Sequence, residues 1–260
     1  MLITLTTDFG QKDSFAGIMK GVIAGIDPQA QVVDLTHGIP PQDILAGALT
    51  LRHAVRYFPR GSIHVTVVDP GVGGARRPLL IESDGNYFIG PDNGVLSLAV
   101  ENIAPTHMVH LSNPAYQLQP TGATFHGRDI FAPAAAHLSL GVSPTAFGET
   151  LDQFVKLAIP QVARQDRRIE GEIVYIDGFG NLFTNVLEHD LTGFPGDRLD
   201  IAVRSATIHG LSRHYASARE GELVAVLNSW DMVEIAAYKD NAQQRIGAKI
   251  GDKVEIVLAK

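Results

Sequence analysis

The chain has 260 residues, of which 45% are hydrophobic, so a core large enough to fold without staples is expected, as one large domain or a large one plus a small one. Cysteine is absent, which excludes disulfides, thiolate metal sites and cysteine nucleophiles and suits a reducing cytoplasm. The net charge is −7 and the lysines and arginines form no run, which disfavours a nucleic-acid surface and suits a cationic ligand.

The N-terminus shows neither a basic start nor a leader-like apolar core, and no stretch approaches the roughly 20 apolar residues of a spanning helix. A soluble, non-secreted, cytoplasmic protein with no membrane partner is expected. Residues 2–6 read as a first strand delivering Asp8 at its end. Asp13 and Ser14 read as a helix start, with Phe15, Ile18, Met19, Val22 and Ile26 at helical spacing behind them. Residues 32–35 read as a second strand carrying Asp34. Pro41 reads as the opening of a second helix, with Ile44, Leu45, Ala48, Leu49, Leu51, Val55 and Phe58 as its apolar face.

The organising stretch follows at Ile63. Six residues rich in β-branched side chains read as a buried parallel strand, stopped abruptly by a Pro-Gly-Val-Gly-Gly run. Asp69 then sits at a strand's carboxyl end, where open α/β sheets place ligands, and Arg76 and Arg77 follow across the glycine turn. Strand-helix-strand-helix-strand order predicts a right-handed parallel sheet. Residues 79–81 and 87–89 read as a hairpin appended to it, 91–94 as a turn, 95–100 as a short helix and 107–110 as a strand. An alanine-rich helix over 134–140, ended by Gly141, would place His126 close to its N-terminus, where the neutral imidazole is favoured.

After Pro160 the pattern changes. Short strands are expected at 171–176, 182–186, 199–203, 223–227, 233–236 and 253–258. The fold class expected is therefore α/β: an N-terminal parallel-sheet α/β domain over 1–160, a polar linker over 161–168, and a smaller C-terminal β-barrel-like domain over 169–260.

Several chemistries lack their signatures. The glycines around Val72 do not complete a dinucleotide fingerprint, no Gly-Lys-Ser/Thr P-loop is present, and no Gly-x-Ser-x-Gly elbow occurs. The 10 histidines show no metal-ligand spacing, so no metal is expected. What remains is dispersed: Asp8, Asp69, Arg76 and His126, then Asp177, Phe179 and Asn181, then Asn228, Ser229 and Trp230. Taken singly, the Asp177 stretch reads as a β-turn, Trp230 as packing, and His126 as a helix cap as readily as a catalyst.

Six segments in order carry more: 5–10 (LTTDFG), 34–43 (DLTHGIPPQD), 68–73 (VDPGVG), 90–94 (GPDNG), 125–133 (FHGRDIFAP) and 177–185 (DGFGNLFTN). Together they resemble the S-adenosylmethionine (SAM) hydroxide adenosyltransferases, or SAM hydrolases, relatives of the SAM-dependent fluorinase and chlorinase. The resemblance implies attack of water or hydroxide on the ribose C5′ of SAM, releasing adenosine and L-methionine, with SAM as substrate and no cofactor. It implies a homotrimer with each site between neighbouring subunits. It implies that Asp69, Arg76 and His126 handle water, and that Asp8 holds the ribose hydroxyls. Asp13, Asp177 and Ser229 would meet the methionine amino group, with Ser14 and Trp230 in the same substrate-binding set. Phe179 would stack on adenine and Asn181 would bond its edge. In the halogenases Tyr matches Asp69 and Trp matches Gln42, and the fluorinase has arginine where Trp230 stands. A SAM-dependent halogenase and a non-catalytic SAM or adenosine sensor are the competing readings.

The residue types suit this chemistry. A sulfonium leaves without a general acid, so the difficulty is to present a nucleophile in line with the C5′–S bond. Arg76 stays protonated and can stabilise developing hydroxide, while Asp69 or His126 accepts or relays a proton.

Overall fold

The computed structural model describes residues 1–259. The chain divides into two compact units, Met1–Leu157 and Ala158–Lys260.

The N-terminal unit is a six-stranded sheet with helices on its faces. Its first half alternates strand and helix: β1 (Leu2–Thr7), α1 (Phe15–Ile26), β2 (Gln31–Thr36), α2 (Ile44–Val55) and β3 (Ile63–Val67). A hairpin follows, β4 (Pro78–Ser83) and β5 (Asn86–Pro91), and then β6 (His107–His110) and α3 (Ala132–Ser139). The strand order is β2-β1-β3-β5-β4-β6. β1 pairs in parallel with β2 and β3, and β3 in parallel with β5, while β4 runs antiparallel to both its neighbours. The hairpin is thus not appended at an edge. Its second strand inserts beside β3 and continues the parallel sheet, because the whole of β5 is buried or half-buried and needs cover on both faces.

Alternation along β1 and β3 divides their side chains between two layers. Ile3, Leu5, Ile63, Val65 and Val67 join Met19 and Ile23 of α1 and Ala135 and Leu138 of α3 in the main core. The opposite positions are polar yet fully buried: Thr4, in register with His64, donates to or accepts from its Nδ1 at 2.8 Å, and the imidazole stacks on Phe88 at 5.4 Å. Burial there pushes His64 down to about 4.

Two helix readings change. Pro41 does not open α2; the helix starts at Ile44, where the Asp43 carboxylate accepts from the Ala46 amide at 2.9 Å. On α1, Met19 and Ile23 are buried but Phe15 and Ile18 are exposed, so the apolar stripe is wider than the core it covers.

In the C-terminal unit every pair of neighbouring strands is antiparallel. It contains β7 (Ala163–Gln165), β8 (Arg168–Ile176), β9 (Leu182–Leu187), β10 (Leu199–Val203), β11 (Ala206–His209), β12 (Leu223–Leu227), β13 (Met232–Ala237), α4 (Ala242–Ile246) and β14 (Lys253–Leu258). Strands run β11-β10-β14-β8-β9-β13-β12, with β7 on β8. The sheet nearly closes: just beyond β11, the Ser212 amide donates to the Ala225 carbonyl of β12 at 2.8 Å. Ile169, Ile173, Ile201, Val233, Val254 and Ile256 fill the barrel. The polar stretch over 161–168 is not open chain, since β7 folds back on β8 within it. This bears out the expected α/β class with a barrel-like C-terminal part. Among the described residues no helix is long and apolar enough to cross a membrane.

Candidate active site

At the carboxyl edge of the parallel strands, Asp8 follows β1 and Asp69 follows β3, so two neighbouring strands deliver acids to one side. The glycine turn after Asp69 is shaped by Gly73, which has φ +74° and whose absent Cβ would lie 2.1 Å from the Ala123 carbonyl oxygen. Only glycine permits that approach, and it presses the turn against the segment leading to His126.

Across this turn Arg76 reaches back. Its Nε donates to Asp69 Oδ1 at 2.9 Å and its Nη2 to Asp69 Oδ2, a bidentate pair in which the side chains are only 9% and 5% exposed. Nη2 also meets His126 Nδ1 at 2.8 Å. A guanidinium has hydrogens to give and no lone pair, so Nδ1 must accept and the imidazole is neutral with its hydrogen on Nε2. Burial first, and the Arg76 charge second, hold the His126 pKa below the ordinary histidine value. The guanidinium also sits 5.6 Å over the Phe131 ring. Arg77, by contrast, turns away to Asp92, with Nε to Oδ2 at 2.9 Å.

Asp69 and His126 line a cleft of about 310 Å³ together with Asp8, Phe9, Gln42 and Phe125, while Arg76 does not reach its wall. Arg76 therefore stands behind the two groups, pairing with the Asp69 carboxylate and fixing the His126 tautomer. Asp8 Oδ2 accepts from the Gln42 amide at 2.9 Å, which fixes the carboxylate at the edge of the cleft. Phe9, Phe15 and Phe125 form an edge-to-face triangle with centroids 5.3 to 5.9 Å apart. Phe9 and Phe125, which lie in the 5–10 and 125–133 motifs, line the cleft in addition to the residues the sequence points to. Their places next to Asp8 and His126 in the chain are the sequence signal for them.

His126 precedes a π-helical turn, Gly127–Phe131, that leads into α3. The buried Asp129 anchors it, taking Arg128 Nε at 2.6 Å and the Gly122 amide at 2.9 Å. The 90–94 motif supports the other side: Asn93 Nδ2 donates to the Val68 carbonyl at 2.9 Å, holding the chain just before Asp69. Asp13 and Ser14 are exposed and line a separate cavity of about 370 Å³ with Lys20, Asp34 and His37.

In the C-terminal unit the 177–181 turn is built by its own acid. Asp177 Oδ1 accepts from the Phe179 and Asn181 amides, each at 2.9 Å, and Oδ2 from Asn181 Nδ2 at 3.0 Å. Gly180 has φ +82° and packs where a Cβ would fall 2.2 Å from Asn241 Oδ1. The turn thrusts Phe179 out to 79% exposure. Phe179, Asn181 and Asp177 share a cavity of about 580 Å³ with Tyr215 and Tyr238. Tyr215 donates to Glu234 Oε1 at 2.8 Å; Glu234 is buried, which raises its pKa. Ser229 and Trp230 are not on that cavity wall. Trp230 packs on Tyr175 and Phe183, with centroids 5.1 and 5.0 Å away, matching the packing alternative. Among the described residues no group of three or more His, Asp or Glu side chains is arranged to hold a metal ion.

Comparison with known proteins bears on both units. The chain matches the SAM hydroxide adenosyltransferase N-terminal domain over residues 3–148 and the C-terminal domain over 171–255. It belongs to that family. A protein of Thermus thermophilus named (R)-S-adenosyl-L-methionine hydrolase is 35% identical, over 96% of this chain and 97% of its own. One of the same name from Salinispora arenicola is also 35% identical, over 98% and 97%. A crystal structure of an uncharacterized conserved protein from Thermotoga maritima superposes with a TM-score of 0.92 at 31% identity, covering 99% of this chain and 100% of that one. The fluorinase of Nocardia brasiliensis is a more distant relative, at 25%.

Proposed function

We propose that this member of the family hydrolyses SAM, with water attacking the ribose C5′. The C5′–O bond forms as the C5′–S bond breaks, the electron pair stays on sulfur, and adenosine, L-methionine and one proton result. The observation that carries this reading is the Asp69–Arg76–His126 network at a cleft shared with Asp8. Because Arg76 occupies Nδ1 and leaves a hydrogen on Nε2, His126 donates to the water oxygen while Asp69, whose carboxylate oxygens keep further lone pairs, accepts the proton. Arg76 acts through both, orienting the Asp69 carboxylate and keeping His126 neutral.

In this reading Asp8 binds the ribose hydroxyls, and Asp13, Ser14, Asp177 and Ser229 serve the methionine end, where a sulfonium and an ammonium call for carboxylates. Phe179 stacks on adenine and Asn181 bonds its edge, while Trp230 backs this part of the unit through its packing on Tyr175 and Phe183. Both sets are needed around one ligand, which favours a closed homotrimer with shared sites, working in the cytoplasm without a cofactor. A halide nucleophile fits poorly, since an ionised Asp69 beside it would repel it at reduced dielectric.

The test is incubation with SAM in ¹⁸O-labelled water and high chloride. Label in the adenosine 5′-oxygen is expected; a chlorinated nucleoside as main product overturns the assignment, and intact SAM after long incubation reduces the protein to a binder.

A further inference from the structure

The 34–43 motif contains Asp34 and His37, to which the hydrolysis itself gives no part. The segment braces the loop that carries Asp8. The Gly10 amide donates to the His37 carbonyl at 2.7 Å, the Ile39 amide to the Thr7 carbonyl at 3.3 Å, and the Gln42 amide to Asp8 Oδ2 at 2.9 Å. Gln42 adopts φ +67° to do so, a left-handed conformation that a non-glycine residue holds only when its surroundings enforce it.

Inside the brace runs a chain of side chains with a defined direction. Thr7 Oγ1 accepts from the Phe9 amide at 3.2 Å, so its one hydrogen is free for His37 Nδ1, 2.8 Å away. With that hydrogen given to Nδ1, the imidazole's own hydrogen is on Nε2. Nε2 lies 3.1 Å from Asp34 Oδ1, an electrostatic contact off the line of a well-aligned hydrogen bond, and Asp34 Oδ2 takes Lys20 Nζ of α1 at 2.5 Å. Thr7 is fully buried and His37 is 3% exposed, whereas Asp34 and Lys20 reach solvent.

We infer that His37 is a positioning residue for Asp8, linking the Thr7 hydroxyl beneath the Asp8 loop to Asp34 and Lys20 at the surface. The inference rests on the reading that Asp8 binds the substrate ribose. Histidine suits the place because one flat ring offers an acceptor to a hydroxyl on one edge and sets Nε2 3.1 Å from a carboxylate on the other. A buried apolar side chain would leave the Thr7 hydroxyl hydrogen without a partner, and a surface Lys20–Asp34 pair cannot supply that order alone.

The experiment compares His37→Ala, His37→Asn, Thr7→Val, Asp8→Ala and the Asp8→Ala/His37→Ala double variant in the full chain. His37→Ala and Thr7→Val are expected to raise the KM for SAM about tenfold with kcat within about threefold. His37→Asn, which keeps an acceptor near the Nδ1 position, is expected to recover most of the loss. In the double variant the His37 effect on KM disappears, because the carboxylate it positions is gone. Amide hydrogen exchange needs no ligand: Gly10 and Gln42 should exchange at least about tenfold faster in His37→Ala and Thr7→Val, with Val65 of β3 unchanged. Unaltered exchange at Gly10 and Gln42 in both single variants, or full additivity with Asp8→Ala, overturns the assignment. Should the unmodified chain fail to bind SAM, it is the hydrolase reading that falls, and the exchange measurement still decides the role of His37.

Discussion

Asp69 and Asp177 each follow a strand, β3 and β8, and each carboxylate accepts on both of its oxygens, yet the donors come from opposite sources. Asp69 is held by a charged side chain across a glycine turn, and through it by a histidine 50 positions on in sequence from Arg76. Asp177 is held by amides and an amide side chain no more than four residues away. The first arrangement exists only when the sheet and the segment before α3 have packed, and it stores ionised groups out of water with their remaining lone pairs toward a cleft. The second is a local turn whose product is shape: it presents Phe179 to solvent. One region is built to hold charge and the other to offer a surface, so substitutions in the two should fail in different measurements.

The largest contrast is in turnover. Asp69→Asn keeps the size and one of the two acceptor oxygens that Arg76 uses but removes the proton acceptor, and turnover is expected to fall about 10² to 10⁴-fold, in the usual range for loss of a general base. SAM affinity should stay within a few-fold. Asp177→Asn should leave turnover at saturating SAM within a few-fold. Adenosine release followed by chromatography, with affinities from calorimetry, checks both, and equal losses in the two variants would erase the distinction.

Stability comes next. Arg76→Gln leaves Asp69 and His126 without their shared cation in a buried place, and a cost of about 3–5 kcal/mol in denaturant unfolding is expected, the range for breaking a buried ion pair. His126 also gives this variant a pH signature. Its pKa is depressed in the folded chain, so the unfolded chain binds more protons once the pH falls below about 6.5, and stability declines from there downward while being intact above it. With the Arg76 charge gone, the His126 resonance should titrate at higher pH by NMR, and this part of the acid loss should become shallower. An unshifted titration would mean that burial alone sets the imidazole.

How much of this was legible in the sequence follows from the same contrast. The β3 run, the acid at its end and the glycine turn are local, and all were readable. The change to short strands after Pro160 was readable too. Pairing is not local: nothing in residues 78–91 says that the hairpin's second strand inserts beside β3, and β7 and β11 are too short and polar to show alternation. Arg76 and Arg77 are indistinguishable as neighbours in sequence, and only the fold sends one to Asp69 and the other to Asp92. The Pro41 reading failed because an Asx cap at Asp43 outcompetes a proline three residues before the helix. Trp230 joined the site through family resemblance, while the side chains around it are aromatic packing partners.

A third prediction sharpens the surface role. Phe179→Ala removes a ring that is already 79% exposed, so unfolding free energy should change by less than about 0.5 kcal/mol. Affinity for adenosine and for SAM should weaken by about 1–3 kcal/mol, the range of base–aromatic stacking. Affinity for methionine alone should not move. A ring that only decorates the surface would leave all three affinities as they were.

The smallest expected effect separates the charge of Asp177 from its turn. Asn keeps the Oδ1 acceptor for the Phe179 and Asn181 amides, and its NH₂ can be accommodated if the Asn181 side chain flips to present its oxygen, so Asp177→Asn should cost less than about 0.5 kcal/mol of stability. Ala removes every one of these acceptors and should cost about 1–2 kcal/mol, as loss of capping hydrogen bonds does. Ligand affinities then distinguish the two functions. If the carboxylate meets an ammonium, Asp177→Asn weakens SAM several-fold while adenosine, which carries no ammonium, binds as before. If the acid matters only as the frame of the turn, Asn leaves SAM and adenosine alike untouched and Ala weakens both, because Phe179 and Asn181 lose their common support. The first pattern is expected, since an acceptor set of four lone pairs exceeds the three hydrogen bonds that the turn takes from it.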